Sequence, residues 1–223
     1  MHQSLGLSPA TGVAMYASYC IECLWITHSV DVLPLHWCGL IQLETKLLGV
    51  TITSNLSWAS HVNEICSRAS KKLWVLVRFK LLGGTTAQLL AVYITRIRSI
   101  LEFACPVFHS GLTKDQSQQI ELVQKKSLAV ILGKGYQCYE SALKQLQLER
   151  LDYRRTNLCL KFALKCTRST RHCGMFPPNP LPHTSTRHHK PYIEYTCKTS
   201  RYYNSPIPYL SRLLNMKKTW SYL

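Results

Sequence analysis

The sequence predicts a mainly α fold: a short β-hairpin followed by an amphipathic helical bundle, with an irregular periphery at both termini. Three observations carry this. Apolar residues recur at spacings of three and four over most of residues 57–166. Two capping-box patterns, Thr85-x-x-Gln88 and Thr113-x-x-Gln116, stand ahead of such runs. Glycines stand where the runs stop, at Gly83-Gly84 and Gly133. Caps, stripes and stops that agree are stronger evidence than any one of them.

Each element can be justified in order. Lys46 to Ile52 is β-branched toward its end and contains Gly49, which predicts a short extended segment entering a turn at Ser54-Asn55. Ser57 then occupies an N-cap position. Trp58, Val62, Ile65, Ala69, Leu73 and Leu76 form one apolar face, with Arg68, Lys71, Lys72 and Arg78 opposite. The second stripe is Leu89, Leu90, Tyr93, Ile94, Ile97 and Leu101, which Pro106 is expected to end. The third is Ile120, Val123, Leu128 and Ile131. Two further helices are expected: Tyr139 to Leu146, with Ala142 and Leu143 inward, and about Leu151 to Cys166, with Leu158, Phe162 and Ala163 inward. Trp58 is aromatic and close to basic residues, but its place on the stripe assigns it to the core.

Charge and composition divide the chain into residues 1–45, 46–166 and 167–223. The whole has 27 Lys and Arg against 11 Asp and Glu, a net +16. Residues 1–45 have no Lys or Arg and three acids, Glu22, Asp31 and Glu44. The middle part has 18 basic and 7 acidic residues; the last has 9 basic residues and one acid, Glu194. Seven of the ten prolines lie in that last part, which therefore reads as a largely irregular basic Pro/His-rich tail. A basic excess of this size is an electrostatic footprint for nucleic acid, and equally that of a solvated surface.

Some chemistry is excluded at this level. The three Asp residues (Asp31, Asp115, Asp152) are scattered, which disfavours two-metal phosphoryl transfer, aspartic proteolysis and EF-hand calcium binding. Neither common Gly-rich phosphate loop occurs. His109 and Asp115 lie near Ser110 without a nucleophile elbow, and Cys105 with His109 has no geometric warrant as a thiol–imidazole pair. The expectation is a chain with no catalytic residues, no cofactor and no small-molecule substrate.

Ten cysteines without a secretory context predict reduced thiols. Cys20-x2-Cys23-x4-His28 matches the first three ligands of a zinc knuckle, but Leu33 stands where the fourth belongs, and His36 and Cys38 come late. Two cysteines in an apolar segment is the favoured reading. His172, Cys173, His183, His188, His189 and Cys197 have no regular spacing and read as tail composition. The stretch from Val13 to Thr27 contains Glu22 and is too short for a membrane span, and no basic region precedes it. The expected setting is intracellular, nucleus or cytoplasm, without secretion or a membrane partner.

The middle and last parts resemble a known family. Lys46-Leu47-Leu48-Gly49-Val50 followed by Asn55-Leu56-Ser57-Trp58-x-x-His61-Val62 is similar to a block in reverse transcriptases of non-LTR retrotransposons, the jockey-like and related groups. The likeness continues in Ala69-Ser70-Lys71-Lys72-Leu73, Leu101 to Val107, Leu112-Thr113-Lys114, Gln124-Lys125-Lys126, Ile131-Leu132-Gly133 and Leu158 to Ala163. Arg201 to Leu210 looks like the end of these polyproteins, so the ordered resemblance spans about residues 46–216.

What the resemblance implies is the carboxy-terminal end of such an enzyme: the last palm hairpin, a thumb-like helical domain and the region after it. The palm, whose paired aspartates hold two metal ions, lies upstream in the family, and no Asp-Asp occurs in this chain. Residues 1–45 do not look like palm. By the same analogy Leu47, Leu48 and Gly49 correspond to the primer grip. The helices from Trp58 to Ile131 correspond to the thumb, which follows a template–primer duplex through its phosphates. The candidate phosphate contacts are Lys71, Lys72, Arg78, Lys80, Arg96, Arg98, Lys125, Lys126, Arg154 and Arg155. The expected partner is RNA or RNA–DNA duplex, held without sequence preference. The alternative is a non-catalytic helical scaffold or interaction domain, or an element relic with no retained role.

Overall fold

The computed structural model describes residues 44–180 and 190–216. Two compact units divide at Leu56 and Ser57. Within the first, β1 (Glu44–Leu47) and β2 (Val50–Thr53) pair antiparallel, Glu44 opposite Thr53 and Leu47 opposite Val50. The expected short β-hairpin is thus present, and its turn falls at Leu48-Gly49 instead of after one extended segment at Ser54-Asn55. Leu48 and Gly49 form the turn, with φ of 47° and 84°. Positive φ at both central residues is the pattern of a type I′ hairpin turn, which matches the twist of the strands it joins. Gly49 takes that conformation freely, whereas Leu48 is strained there and 63% exposed.

The second unit is helical. α1 (Ala59–Leu81) buries Val62, Ile65, Ala69 and Leu76, the expected stripe. Ser57 Oγ accepts from the Ala59 amide (3.3 Å) just before it. α1 ends in paired bonds from Gly83 N to Lys80 O (3.0 Å) and Gly84 N to Phe79 O (3.1 Å), the Schellman arrangement that the two glycines predict.

α2 (Thr86–Val92) starts with the complete Thr85/Gln88 capping box. It runs into a π-helical segment, Tyr93–Arg98, and then α3 (Ser99–Glu102). Tyr93, Ile97 and Leu101 are buried as the stripe requires. The π segment has no sequence signal. Pro106 does not end this run; Phe103 leaves the helix first, and Pro106 lies in the first turn of α4 (Cys105–Phe108), where its missing N–H costs nothing.

α5 (Lys114–Leu132) has the complete Thr113/Gln116 capping box and buries Ile120, Val123, Leu128 and Ile131. It packs along α1. α6 (Tyr139–Gln145) buries Ala142 and Leu143. α7 (Leu151–Arg168) buries Leu151, Cys159 and Ala163, but Phe162, expected inward, is 42% exposed and Leu158 only half-buried. Arg155 and Cys159 take the inward positions instead, facing α4 and α5.

The C-terminal part is more ordered than its prolines suggest. α8 (Ser200–Tyr203) precedes α9 (Pro206–Met216), which buries Pro208, Leu210, Ser211 and Leu214 and packs against α7. Pro206 and Pro208 fall in the first turn, where proline is tolerated. α9 also fastens the extended chain before it. Asn215 Oδ1 accepts from Tyr192 N (3.0 Å), Asn215 Nδ2 donates to Tyr192 O (3.1 Å), and Ser211 Oγ donates to Ile193 O (2.6 Å). Among the described residues no helix is long and apolar enough to cross a membrane.

Candidate nucleic-acid interface

The ten candidate basic residues fall into two groups. The helical repeat puts Lys71, Trp74 and Arg78 on the side of α1 opposite its buried stripe, with Arg68 at the edge and Lys72 on the flank nearer the stripe. All five are exposed, Trp74 by 63%. Only Glu64 is acidic on this helix, and it pairs with Arg68 (3.9 Å). Lys71, Lys72 and Arg78 form no ion pair with a described residue. The Arg78 guanidinium lies over the Trp74 ring, 5.3 Å from its centroid. Leu81, the last residue of α1, and Leu82 after it are 72% and 83% exposed.

Lys80 is on the same helix but points the other way. Its Nζ donates to the carbonyls of Val130 (2.5 Å) and Ile131 (3.3 Å), the C-terminal turn of α5. An ammonium there satisfies orphan acceptors and meets the negative end of the helix dipole. Gly133 makes room for it: a Cβ at that position would lie 2.4 Å from Lys80 Nζ. Lys80 is thus a helix cap, not a phosphate contact.

The remaining candidates spread over other elements. Arg96 is exposed on the π segment. Arg98 Nε is 3.8 Å from Glu102 Oε1, and Arg154 Nε donates to that same oxygen from α7. The structure therefore brings Arg98 and Arg154 together, around a carboxylate that already neutralises part of their charge. They line a groove of about 620 Å³ with Gln147, Asn157 and Lys161. Lys125 lies 5.0 Å from the Tyr139 ring centroid, and Lys126 is exposed. Leu47, Leu48 and Gly49 lie in the hairpin unit.

Arg155 is the clearest departure from expectation: its side chain is fully buried. Its Nε donates to His109 Nδ1 (3.4 Å) and its Nη2 to Ser117 Oγ (3.0 Å), while Nη1 is buried without a hydrogen-bond partner. His109 Nε2 meets Thr156 Oγ1 (3.1 Å), whose own proton goes to Asp152 O (3.0 Å). The network assigns the proton to Nε2 of a neutral imidazole. Burial and the Arg155 charge push the His109 pKa down to about 4. Arg155 cannot touch a phosphate outside the molecule.

The same network disposes of the Cys105–His109 pairing. The Cys105 thiol shares a hydrogen bond with Cys159 on α7, which holds Cys105 below the ordinary thiol range. That bond, with burial, pushes Cys159 up. Asp115 is exposed in the first turn of α5.

Two buried polar features escape a sequence reading. Glu121 Oε1 accepts from Tyr139 Oη and from Leu151 N (3.2 Å). Gln124 Oε1 accepts from Tyr93 Oη (2.8 Å), and its Nε2 donates to Glu149 O (3.0 Å). Nothing in the local pattern of α5 marks these side chains as inward, because their partners come from other elements. Trp74 is different: its place off the Leu73–Leu76 stripe and between Lys71 and Arg78 is legible in the sequence and points it outward.

Among the described residues no group of three His, Cys, Asp or Glu side chains could hold a metal ion. Cys20, Cys23, His28, His36 and Cys38, like His183, His188 and His189 of the tail, lie outside the described residues. No protein family, curated protein or solved structure matches this chain.

Proposed function

We propose that the chain is a catalytically incomplete piece derived from a non-LTR retrotransposon reverse transcriptase, and that its helical unit binds nucleic-acid duplex without sequence preference. The resemblance over residues 46–216 supports the origin. One observation carries the binding: the outward face of α1 presents Lys71 and Arg78 to solvent, with Lys72 exposed on its flank and no acid after Glu64. Exposed cations along one helix can meet phosphates, and each phosphate neutralised releases counterions. Arg96, Lys125 and Lys126 extend the set; Lys80 and Arg155 leave it.

The test is an anisotropy titration of the full chain with a labelled RNA–DNA hybrid at low and moderate salt. The expected result is a log–log slope of several units, lowered when Lys71, Lys72 and Arg78 are replaced together. A folded chain that does not bind would overturn the reading. One observation favours the scaffold alternative: Trp74, Val77, Leu81 and Leu82 expose apolar surface next to these cations. Weak salt dependence together with capture of a protein partner would support it.

A further inference from the structure

We infer that Trp74 is a stacking platform for an unpaired base, so that the outward face of α1 takes single-stranded nucleic acid. The inference rests on the reading above that this face meets phosphates, and adds that it holds an unpaired strand as well as a duplex.

An exposed Trp forgoes the large gain its burial would bring, and it stands out on a helix whose other face is well packed. Its surroundings specify the ligand. Arg78 lies 5.3 Å from the ring centroid and fixes the ring through a cation–π contact. Lys71 is one turn before Trp74, and Arg78 one turn after it, on the same face. An aromatic ring between cations is the arrangement that receives a nucleotide: the base stacks on the ring and the phosphates on either side meet the charges.

A duplex cannot use the ring in this way. Its bases are stacked on one another, and a convex helix face reaches only backbone and base edges. An unpaired nucleotide can turn its base out. Charge disfavours a second copy of the chain as the occupant. The face carries no acid beyond Glu64, and the whole chain is +16, so self-association would set like charges against each other.

The experiment titrates the full chain with two labelled probes of equal length, a blunt RNA–DNA hybrid and a single-stranded RNA. Trp74→Ala should weaken single-strand binding about tenfold, the loss typical of one base–aromatic stack. Trp74→Phe should retain most of the affinity. Neither change should alter blunt-hybrid binding by more than about twofold, since the phosphate contacts remain. Trp74 is exposed, and an unchanged thermal melt of both variants shows that the fold is intact. Equal losses on both probes, or none on either, would overturn the inference. So would wild-type self-association that Trp74→Ala abolishes. Binding of the blunt hybrid alone by the wild type would sink this inference and leave the duplex reading standing; binding of neither probe would end both.

Discussion

The outward face of α1 and the inner face of α7 have the same raw material and opposite fates. Each is an amphipathic helix with basic residues set among apolar ones. On α1, Lys71, Lys72 and Arg78 stand in solvent with no described ion-pair partner, and their neighbour Trp74 is exposed. On α7, Arg154 is tied to Glu102, and Arg155 is sealed inside with His109 and Ser117. The difference teaches that a count of basic residues measures potential and not function. A cation that already has acceptors is part of the fold, and one without them is available to a ligand.

That contrast can be broken most forcefully at Arg155. Arg155→Ala should cost about 3–5 kcal/mol in chemical denaturation, because it leaves a cavity and unpaired polar groups in the core. Arg155→Met, which keeps the volume, should cost far less. Neither should change the salt slope of nucleic-acid binding.

Lys80 offers the second contrast, since it belongs to the binding helix but serves the fold. Lys80→Met should lower stability by about 1.5–3 kcal/mol, the value of charged hydrogen bonds to otherwise orphan carbonyls. Combined replacement of Lys71, Lys72 and Arg78 by Ala should do the reverse. The salt slope should fall by about 3, one for each phosphate contact, with stability shifted by less than about 0.5 kcal/mol.

His109 sharpens the comparison through pH. Its folded pKa, about 4, is below the unfolded value of 6.5. The unfolded chain therefore binds more protons between those values. The stability of the neutral imidazole is fully present above about pH 6.5 and is lost as pH falls toward about 4. Urea midpoints measured across that window should fall with pH, and His109→Gln should flatten the dependence. The smallest effect belongs to the end of α6. Gln147 has φ of 51° and closes the helix with bonds from Gln147 N to Lys144 O and Leu148 N to Leu143 O. Gln147→Gly should raise stability by about 0.5–1 kcal/mol in a thermal melt, since glycine takes that conformation without steric cost but gives up more entropy.

The sequence by itself determined the elements built from local contacts. The capping boxes at Thr85 and Thr113, the stripes of α1, α2 and α5 and the stop at Gly83-Gly84 are interactions between residues a few positions apart, so a window of sequence contains all of their causes. In the last part of the chain two local rules compete. The proline content of the last part predicts an irregular tail, whereas Leu210 and Leu214 hold the helical spacing that α9 uses against α7. Only the tertiary structure decided the direction of the charges. Lys80 and Arg78 are two residues apart on one helix, and their separation by half a turn sends one to the end of α5 and the other into solvent. Arg155, Glu121 and Gln124 are inward because their partners arrive from distant elements. Burial of a polar group is favourable only once its acceptors and donors have been assembled, and no stretch of chain contains that information alone.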